Sequence, residues 1–423
     1  MVELRPYQAQ AVSDGLELLK ANKIVCLSME VRTGKTLTAL SLAAEYGAKR
    51  VLFVSKKKAI VEGSIKKDYE LLNPDYDIWF WNYASLHKVV GKFDIVIVDE
   101  SHSIAAFPKP SKRAKMLKVI CKNTPIIYLS GTFTPESYSQ LYHQFWISSY
   151  SPFIAYSNFY KWAKDYVDVY QKRIGAYKVN NYERAIKPKI DARTKHLFLS
   201  VSQETAGFIQ PIKEIFLQVP MNSVQKEMIT NIDQRGFTSY AGELCIPANG
   251  AIKLSKKAQI SGGTCIMDDG SVAVVSKNKV NYIYDRFQKP NKSDTSDRYN
   301  EYKIAILYVY QAEGDLLKEK FKNWTSNEDI FRENDDVVFI AQIRSAREGV
   351  DLSSADCLVM YSIDFSATSY FQGKARIQSK NRTKPARLYW IFSDGGIGPY
   401  VYSAVSKKKN FTQSYYNQAK YNK

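Results

Sequence analysis

The chain has 423 residues, and at roughly 150 residues per domain that length fits two or three domains with cores of their own. Hydrophobic residues at 45% and charged residues at 24% exclude a disordered or fibrous chain, and no apolar run approaches the ~18 residues of a membrane span. Lysine and arginine number 60 against 42 acids, a formal charge of +18 that points to an anionic partner, nucleic acid first.

The opening MVELRPYQAQ lacks the basic-then-apolar pattern of a secretory signal. The five cysteines (Cys26, Cys121, Cys245, Cys265 and Cys357) are scattered, with no Cys-x-x-Cys. That fits reduced thiols in a cytoplasmic chain better than a disulfide framework or a zinc site.

In residues 1–150, apolar runs at Ile24–Ser28, Arg50–Ser55, Ile78–Trp81, Asp94–Val98 and Pro125–Ser130 read as strands. Helical patterns lie between them, at Pro6–Leu19, Lys35–Tyr46, Ala59–Leu72 and Lys112–Lys122. Continuous apolar strands alternating with amphipathic helices predict a doubly wound parallel sheet covered on both faces.

Residues 151–210 read as an aromatic-rich helical insertion or linker. Phe159, Trp162, Tyr166 and Tyr170 recur there at helical spacing, as expected of a helix packing onto its parent domain. Base stacking on these rings is the alternative. Residues 211–423 repeat the alternation, with strands at Ile304–Val309, Val337–Ala341, Cys357–Ser362 and Arg387–Phe392 and helices at Glu313–Trp324 and Ser369–Gln378. This predicts a second α/β lobe. Gln288–Asn300 reads as a surface loop.

Gly34-Lys35-Thr36 follows the first strand and opens a helix, the setting in which backbone N–H groups and a helix N-terminus cradle phosphates. Thr33 and Gly34 would line that cradle, Lys35 would reach the β/γ-phosphates, and the Thr36 hydroxyl would bind Mg²⁺. The glycine usual five residues before Gly34 is replaced by Met29. Asp99-Glu100-Ser101-His102 ends the apolar run Asp94–Val98, where ligands of open α/β sheets collect. Asp99 is placed to hold Mg²⁺ and Glu100 to polarise the attacking water. The four histidines (His87, His102, His143 and His196) are too dispersed for a metal site, and all but His102 read as structural.

These residues, in order along nearly the whole chain, resemble the superfamily-two helicases and translocases, specifically the Swi/Snf-type ATPases. Leu4-Arg5-Pro6-Tyr7-Gln8 resembles the entry motif, which implies Arg5 at ATP and Gln8 on adenine. Val51–Ser55 with Lys56 resembles the strand whose end, here Ser55 and Lys56, touches the nucleic-acid backbone. Asp99–His102 is a DExH box, and Ser130-Gly131-Thr132 resembles the motif coupling ATP state to nucleic-acid grip. Val338–Ala341 with Arg347–Leu352 resembles the fifth motif, implying Gly349 and Asp351 at ATP. Gln372-Gly373-Lys374-Ala375-Arg376 resembles the sixth, implying Gln372 and Arg376 there, with Arg376 as the arginine finger. Ser379 stands where the pattern has a second arginine, and Arg382 or Lys380 could substitute for it. The small size resembles the compact versions carried by bacteriophages.

The resemblance implies two RecA-like lobes with an ATP cleft between them, ATP and Mg²⁺ as cofactors, and a monomer that moves on duplex or branched DNA. Lys109–Lys122 and Lys374–Arg387 each hold six basic residues and no acid, a pattern suited to sequence-independent phosphate contact. Lys112, Arg113, Lys380 and Arg382 are the candidates. An RNA-stimulated ATPase and a non-hydrolysing nucleotide-gated clamp are the competing readings.

Overall fold

Apolar runs that must be buried on both faces pair as parallel strands, because only crossover helices can cover both sides of the sheet they form. The computed structural model describes residues 3–407, apart from 62, 175–176, 209, 288–302, 347–349, 380–381 and 383–384. The chain divides into two compact units, Met1–Gly207 and Phe208–Lys423.

The first unit opens with α1 (Pro6–Asn22), β1 (Ile24–Met29), α2 (Lys35–Glu45), β2 (Arg50–Ser55), α3 (Lys57–Val61), α4 (Ser64–Leu72), β3 (Asp77–Asn82) and β4 (Ile95–Asp99). Then come α5 (Lys112–Ile120), β5 (Ile126–Leu129), α6 (Gln140–Trp146), α7 (Phe159–Tyr166), an antiparallel pair β6 (Tyr170–Ile174) and β7 (Tyr177–Asn181), α8 (Lys187–Thr194) and β8 (Phe198–Val201). Six strands form one sheet in the order β3-β2-β4-β5-β1-β8, every pair parallel. The helix expected over Ala59–Leu72 is two helices. Gly63, at φ +74°, N-caps α4 in the left-handed region that glycine enters without steric cost.

The stretch expected as a separate insertion belongs to the first unit through Gly207, and β8 adds the edge strand of its sheet. Phe159, Trp162 and Tyr166 are buried in the core of this unit beside Tyr142 and Phe153. Trp162 stacks on Tyr166 with centroids 5.2 Å apart, so these rings are core and base stacking is not their role. Tyr170 falls outside the helix, at the start of β6. His143 is structural as well: its Nδ1 lies 2.6 Å from the Ala106 carbonyl, and burial pushes its pKa down to about 4.

The second unit runs β9 (Ile212–Val219), α9 (Ser223–Gln234), β10 (Thr238–Tyr240), β11 (Glu243–Cys245), α10 (Gly250–Gly262), β12 (Thr264–Ile266), β13 (Val272–Val274), α11 (Asn278–Phe287), β14 (Ile304–Tyr308) and α12 (Gln311–Lys320). It continues through β15 (Trp324–Thr325), α13 (Glu328–Glu333), β16 (Val338–Gln342), α14 (Ile343–Ala346), β17 (Cys357–Met360), α15 (Ala367–Lys374), β18 (Ala386–Ser393) and α16 (Gly398–Val405). Its sheet is also six-stranded and parallel, in the order β15-β16-β14-β17-β18-β9. Between β9 and β14 the chain inserts two small hairpins, β10–β11 and β12–β13, around a satellite core. The Gln288–Asn300 loop lies outside the described residues.

Candidate nucleotide site

Met29 ends β1 fully buried, and the chain turns through Glu30–Gly34 into α2. Arg32 at φ +67° and Gly34 at φ +80° make that turn. A Cβ on Gly34 would stand 2.3 Å from Gln8 Nε2, so the position needs glycine for its conformation and for the close approach. The turn that Met29 replaces is held by Glu30: its carbonyl accepts from Thr33 Oγ1 at 2.7 Å and from Thr33 N at 3.3 Å.

The loop is braced from both sides. The Tyr7 hydroxyl donates to the Thr33 carbonyl at 3.0 Å, and Gln8 Nε2 donates to the Gly34 carbonyl at 3.4 Å. Gln203 Nε2 donates to the Val31 carbonyl at 3.0 Å and Gln203 N to Glu30 Oε2 at 2.7 Å, while Glu30 N donates to the Val201 carbonyl at 3.0 Å. Gln8, expected on adenine, is buried with its amide on this loop, and its Oε1 accepts from Arg5 N at 3.1 Å. Arg5 itself is exposed.

Asp99 is the last residue of β4. Its Oδ2 accepts from Ser55 Oγ at 2.6 Å and its Oδ1 from Glu100 N at 2.9 Å, while its carbonyl accepts from the Tyr83 hydroxyl. Burial pushes its pKa up to about 6, helped by the neighbouring Glu100 carboxylate and opposed by the Ser55 hydroxyl and the Lys35 ammonium. Two adjacent, partly buried carboxylates favour a cation beside them. Ser55, expected on nucleic acid, is 1% exposed, and its hydroxyl is engaged by Asp99. Lys56, next in the chain, is half-buried.

Glu100, at φ +49°, turns the chain after the strand. Its Oε2 lies 3.2 Å from His102 Nδ1, and the same nitrogen lies 3.3 Å from Ser130 Oγ. Ser130 Oγ accepts from Thr132 N at 3.0 Å. A Cβ on Gly131 would lie 3.7 Å from Lys35 Nζ. The strand ends of β1, β4 and β5 thus gather Gly34, Lys35, Asp99, Glu100, His102, Ser130, Gly131 and Thr132, and Thr36 follows in the first turn of α2. On α5, Lys112 and Arg113 are exposed, and the Arg113 guanidinium sits 5.6 Å from the Tyr83 ring.

In the second unit, Arg376 Nη1 donates to the Val350 carbonyl at 3.4 Å, and the Arg376 carbonyl accepts from Leu352 N at 3.0 Å, so the fifth and sixth motifs hold each other. Gln372 is buried on α15. Asp351 is exposed, its Oδ1 accepting from Ser353 N at 2.8 Å. Arg382, expected on nucleic acid, instead donates to the carbonyls of Ser353, at 2.9 Å, and Ala355. Lys374 pairs with Glu214, a β9 carboxylate that also accepts from Trp390 Nε1 at 2.7 Å and the Tyr402 hydroxyl at 3.0 Å. Part of that basic run is therefore turned inward to satisfy buried acceptors. Gly349 and Lys380 lie outside the described residues.

Sequence reasoning missed Tyr83, Gln203 and the inward role of Ser55. Their contacts span 16, 172 to 173 and 44 positions, and no motif spacing marks them.

Two parallel-sheet units, one with a phosphate loop and an acidic pair at adjoining strand ends, have the architecture of the RecA-like class. Residues 1–82 match the family described as type III restriction enzyme, res subunit. The CHD3-type chromatin-remodeling factor PICKLE of Arabidopsis thaliana is 21% identical over 379 residues, covering 84% of this chain and 25% of that protein. The ISWI chromatin-remodeling complex ATPase ISW1 of Saccharomyces cerevisiae is 22% identical over 492 residues, covering 97% of this chain and 40% of that protein. The chain therefore spans between a quarter and two fifths of these relatives' lengths. Among solved structures, the ATP-dependent Type ISP restriction-modification enzyme LlaBIII bound to DNA shares the fold, with a TM-score of 0.55 at 14% identity, over 93% of this chain and 28% of that one. With the motifs in place, the chain is similar to superfamily-two ATPases of the Swi/Snf type. No helix among the described residues is long and apolar enough to cross a membrane.

Proposed function

We propose that the chain is an ATP-dependent DNA translocase acting on duplex or branched DNA. The observation that carries this reading is the contact chain Glu100–His102–Ser130, which ties the residue facing the attacking water to the Ser130-Gly131-Thr132 segment beside Lys35. Lys35 neutralises the β/γ-phosphates of ATP, and Glu100 orients the water for in-line attack. Thr36 and Asp99 would hold Mg²⁺, and the raised pKa of Asp99 beside Glu100 fits a site that wants a cation. When bound, the ion screens the charge that develops on the phosphoryl oxygens. The sixth-motif resemblance gives Arg376 the part of an arginine finger, a role worth ~10³–10⁵ in rate where such a finger acts.

Lys56, Lys112 and Arg113 supply backbone contacts in the first lobe. Arg113 lies over Tyr83, whose hydroxyl donates to the Asp99 main-chain carbonyl, so Arg113 is two contacts from the backbone that carries the Mg²⁺ carboxylate. The net charge of +18 favours a polyanion, and the solved enzyme sharing this fold is bound to DNA. The test is ATP hydrolysis with duplex DNA, branched DNA or RNA as activator, together with displacement of a third strand from a DNA triplex. Stimulation by DNA and displacement of the third strand are expected. Stronger stimulation by RNA, or hydrolysis without displacement, overturns the reading.

A further inference from the structure

The satellite core of the second unit holds two thiols in contact. Cys245 ends β11 and Cys265 lies in β12, with Sγ atoms 3.8 Å apart. Both are fully buried, in a cluster with Met228, Ile232, Ile260, Met267 and Val275. The two strands belong to different hairpins, and α10 lies between them in the chain. The C-terminal end of α10 is fixed to the rest of the unit: the Gly262 carbonyl accepts from the Tyr361 hydroxyl at 2.6 Å, and the Ile260 carbonyl accepts from Gln225 Nε2 at 2.7 Å. Cys265 follows that end closely, whereas Cys245 sits on the other hairpin, where the Leu244 carbonyl accepts from Asp268 N at 2.8 Å and Ile246 N donates to Asp268 Oδ2 at 3.0 Å.

We propose that Cys245 and Cys265 form a reversible disulfide site that fastens the β10–β11 hairpin to the anchored end of α10. The sulfurs already touch, so the bond needs side-chain adjustment rather than rearrangement of strands. A cluster this small opens locally at lower cost than the main sheets, which admits a small oxidant.

The two thiols are also differentiated. The hydrogen bond from Cys265, with the Lys256 ammonium behind it, holds Cys245 below the usual thiol range, while that same bond and burial push Cys265 up. The Cys245 thiolate attacks one sulfur of a low-molecular-weight disulfide such as oxidised glutathione and expels one thiolate, leaving a mixed disulfide. Cys265 gives its proton to the expelled thiolate, attacks Cys245 Sγ and releases the second small thiol. Two protein thiols lose two electrons, and the small disulfide is reduced to two thiols.

The test equilibrates the folded chain with oxidised glutathione, unfolds it in denaturant with N-ethylmaleimide to block the remaining thiols, and maps peptides by mass spectrometry. The expected result is a Cys245–Cys265 cross-linked peptide with loss of both labels, while Cys26, Cys121 and Cys357 stay labelled and dithiothreitol restores the pair. Cys265→Ser should retain glutathione on Cys245, because nothing resolves the adduct. Hydrogen exchange over Thr238–Cys245 should slow in the oxidised form. Full labelling of both cysteines after equilibration, or their loss no faster than that of the other three, overturns the disulfide. Unchanged exchange overturns the fastening.

Discussion

At the ends of β1 and β4 the first unit presents a glycine turn and a helix N-terminus, whereas at the ends of β14 and β17 the second unit fills the like crevice with a carboxylate of its own. Glu313, in the first turn of α12, is fully buried. Its Oε2 accepts from Val309 N at 3.2 Å, Tyr310 N at 3.1 Å and Ser362 Oγ at 2.5 Å. Those donors are the kind a phosphate uses in a strand-loop-helix site. Lys279, buried nearby with its ammonium 4.8 Å from the Tyr361 ring centroid, supplies the opposite charge. One sheet design therefore carries a candidate ligand site in the first unit and an internal carboxylate in the second, and the difference rests on which side supplies the anion. A Cβ on Gly262 would lie 2.3 Å from Glu313 Oε1, so the filled version also required a glycine on a neighbouring helix.

The contrast breaks most readily in the first unit. Glu100→Gln keeps the side chain's shape and removes its charge, so turnover should fall by about 10²–10⁴-fold with ATP binding and melting temperature retained. Loss of ATP binding together with turnover, seen by equilibrium titration, would make Glu100 structural. Glu313→Ala should do the reverse. Leaving the buried Val309 N–H, Tyr310 N–H and Ser362 hydroxyl without their shared acceptor should cost about 1–3 kcal/mol or more of stability, read by urea unfolding, while DNA-free hydrolysis per folded molecule changes little. A variant that unfolds like the wild type would remove Glu313 from the structural role.

Ser55→Ala sharpens the supporting layer of the first site. Losing the hydroxyl that orients Asp99 should raise the Mg²⁺ concentration for half-maximal hydrolysis by about 10–100-fold. An unchanged Mg²⁺ dependence combined with weaker DNA binding would return Ser55 to the nucleic acid.

The smallest effect is a pH slope. Burial pushes Lys279 down to about 8, against the attraction of Glu313. An unfolded lysine titrates near 10.4, so between those values the unfolded chain holds a proton that the folded chain has released. Stability should therefore rise with pH across that window relative to Lys279→Met, by at most ~1.4 kcal/mol per pH unit. A flat or falling difference in urea unfolding would show that Lys279 stays charged.

The motifs were legible because each joins a local signal to a strand end. The run Ile95–Val98 is buried throughout, and the acids follow where the strand stops. The paired sheets were legible for the same reason. The braces were not, because Gln203 meets the phosphate loop across 173 positions and β8 is a four-residue strand without alternation. The satellite hairpins escaped because their strands are three residues long, too short for a period to register. The direction of Arg382 was not legible, because a basic run shows composition only: its guanidinium donates to the carbonyls of Ser353 and Ala355.

The two-sided bracing of the phosphate loop has a consequence for synthesis. Tyr7 and Gln8 reach the loop from one end of the first unit, and Val201 and Gln203 reach it from the other. A ribosome releases the glycine turn early, but the partners that hold Glu30 and Val31 arrive only when residue 203 leaves the exit tunnel. The nucleotide pocket is thus among the last parts of its own lobe to be finished, and a nascent chain cannot engage ATP with a braced loop until the whole lobe has been made.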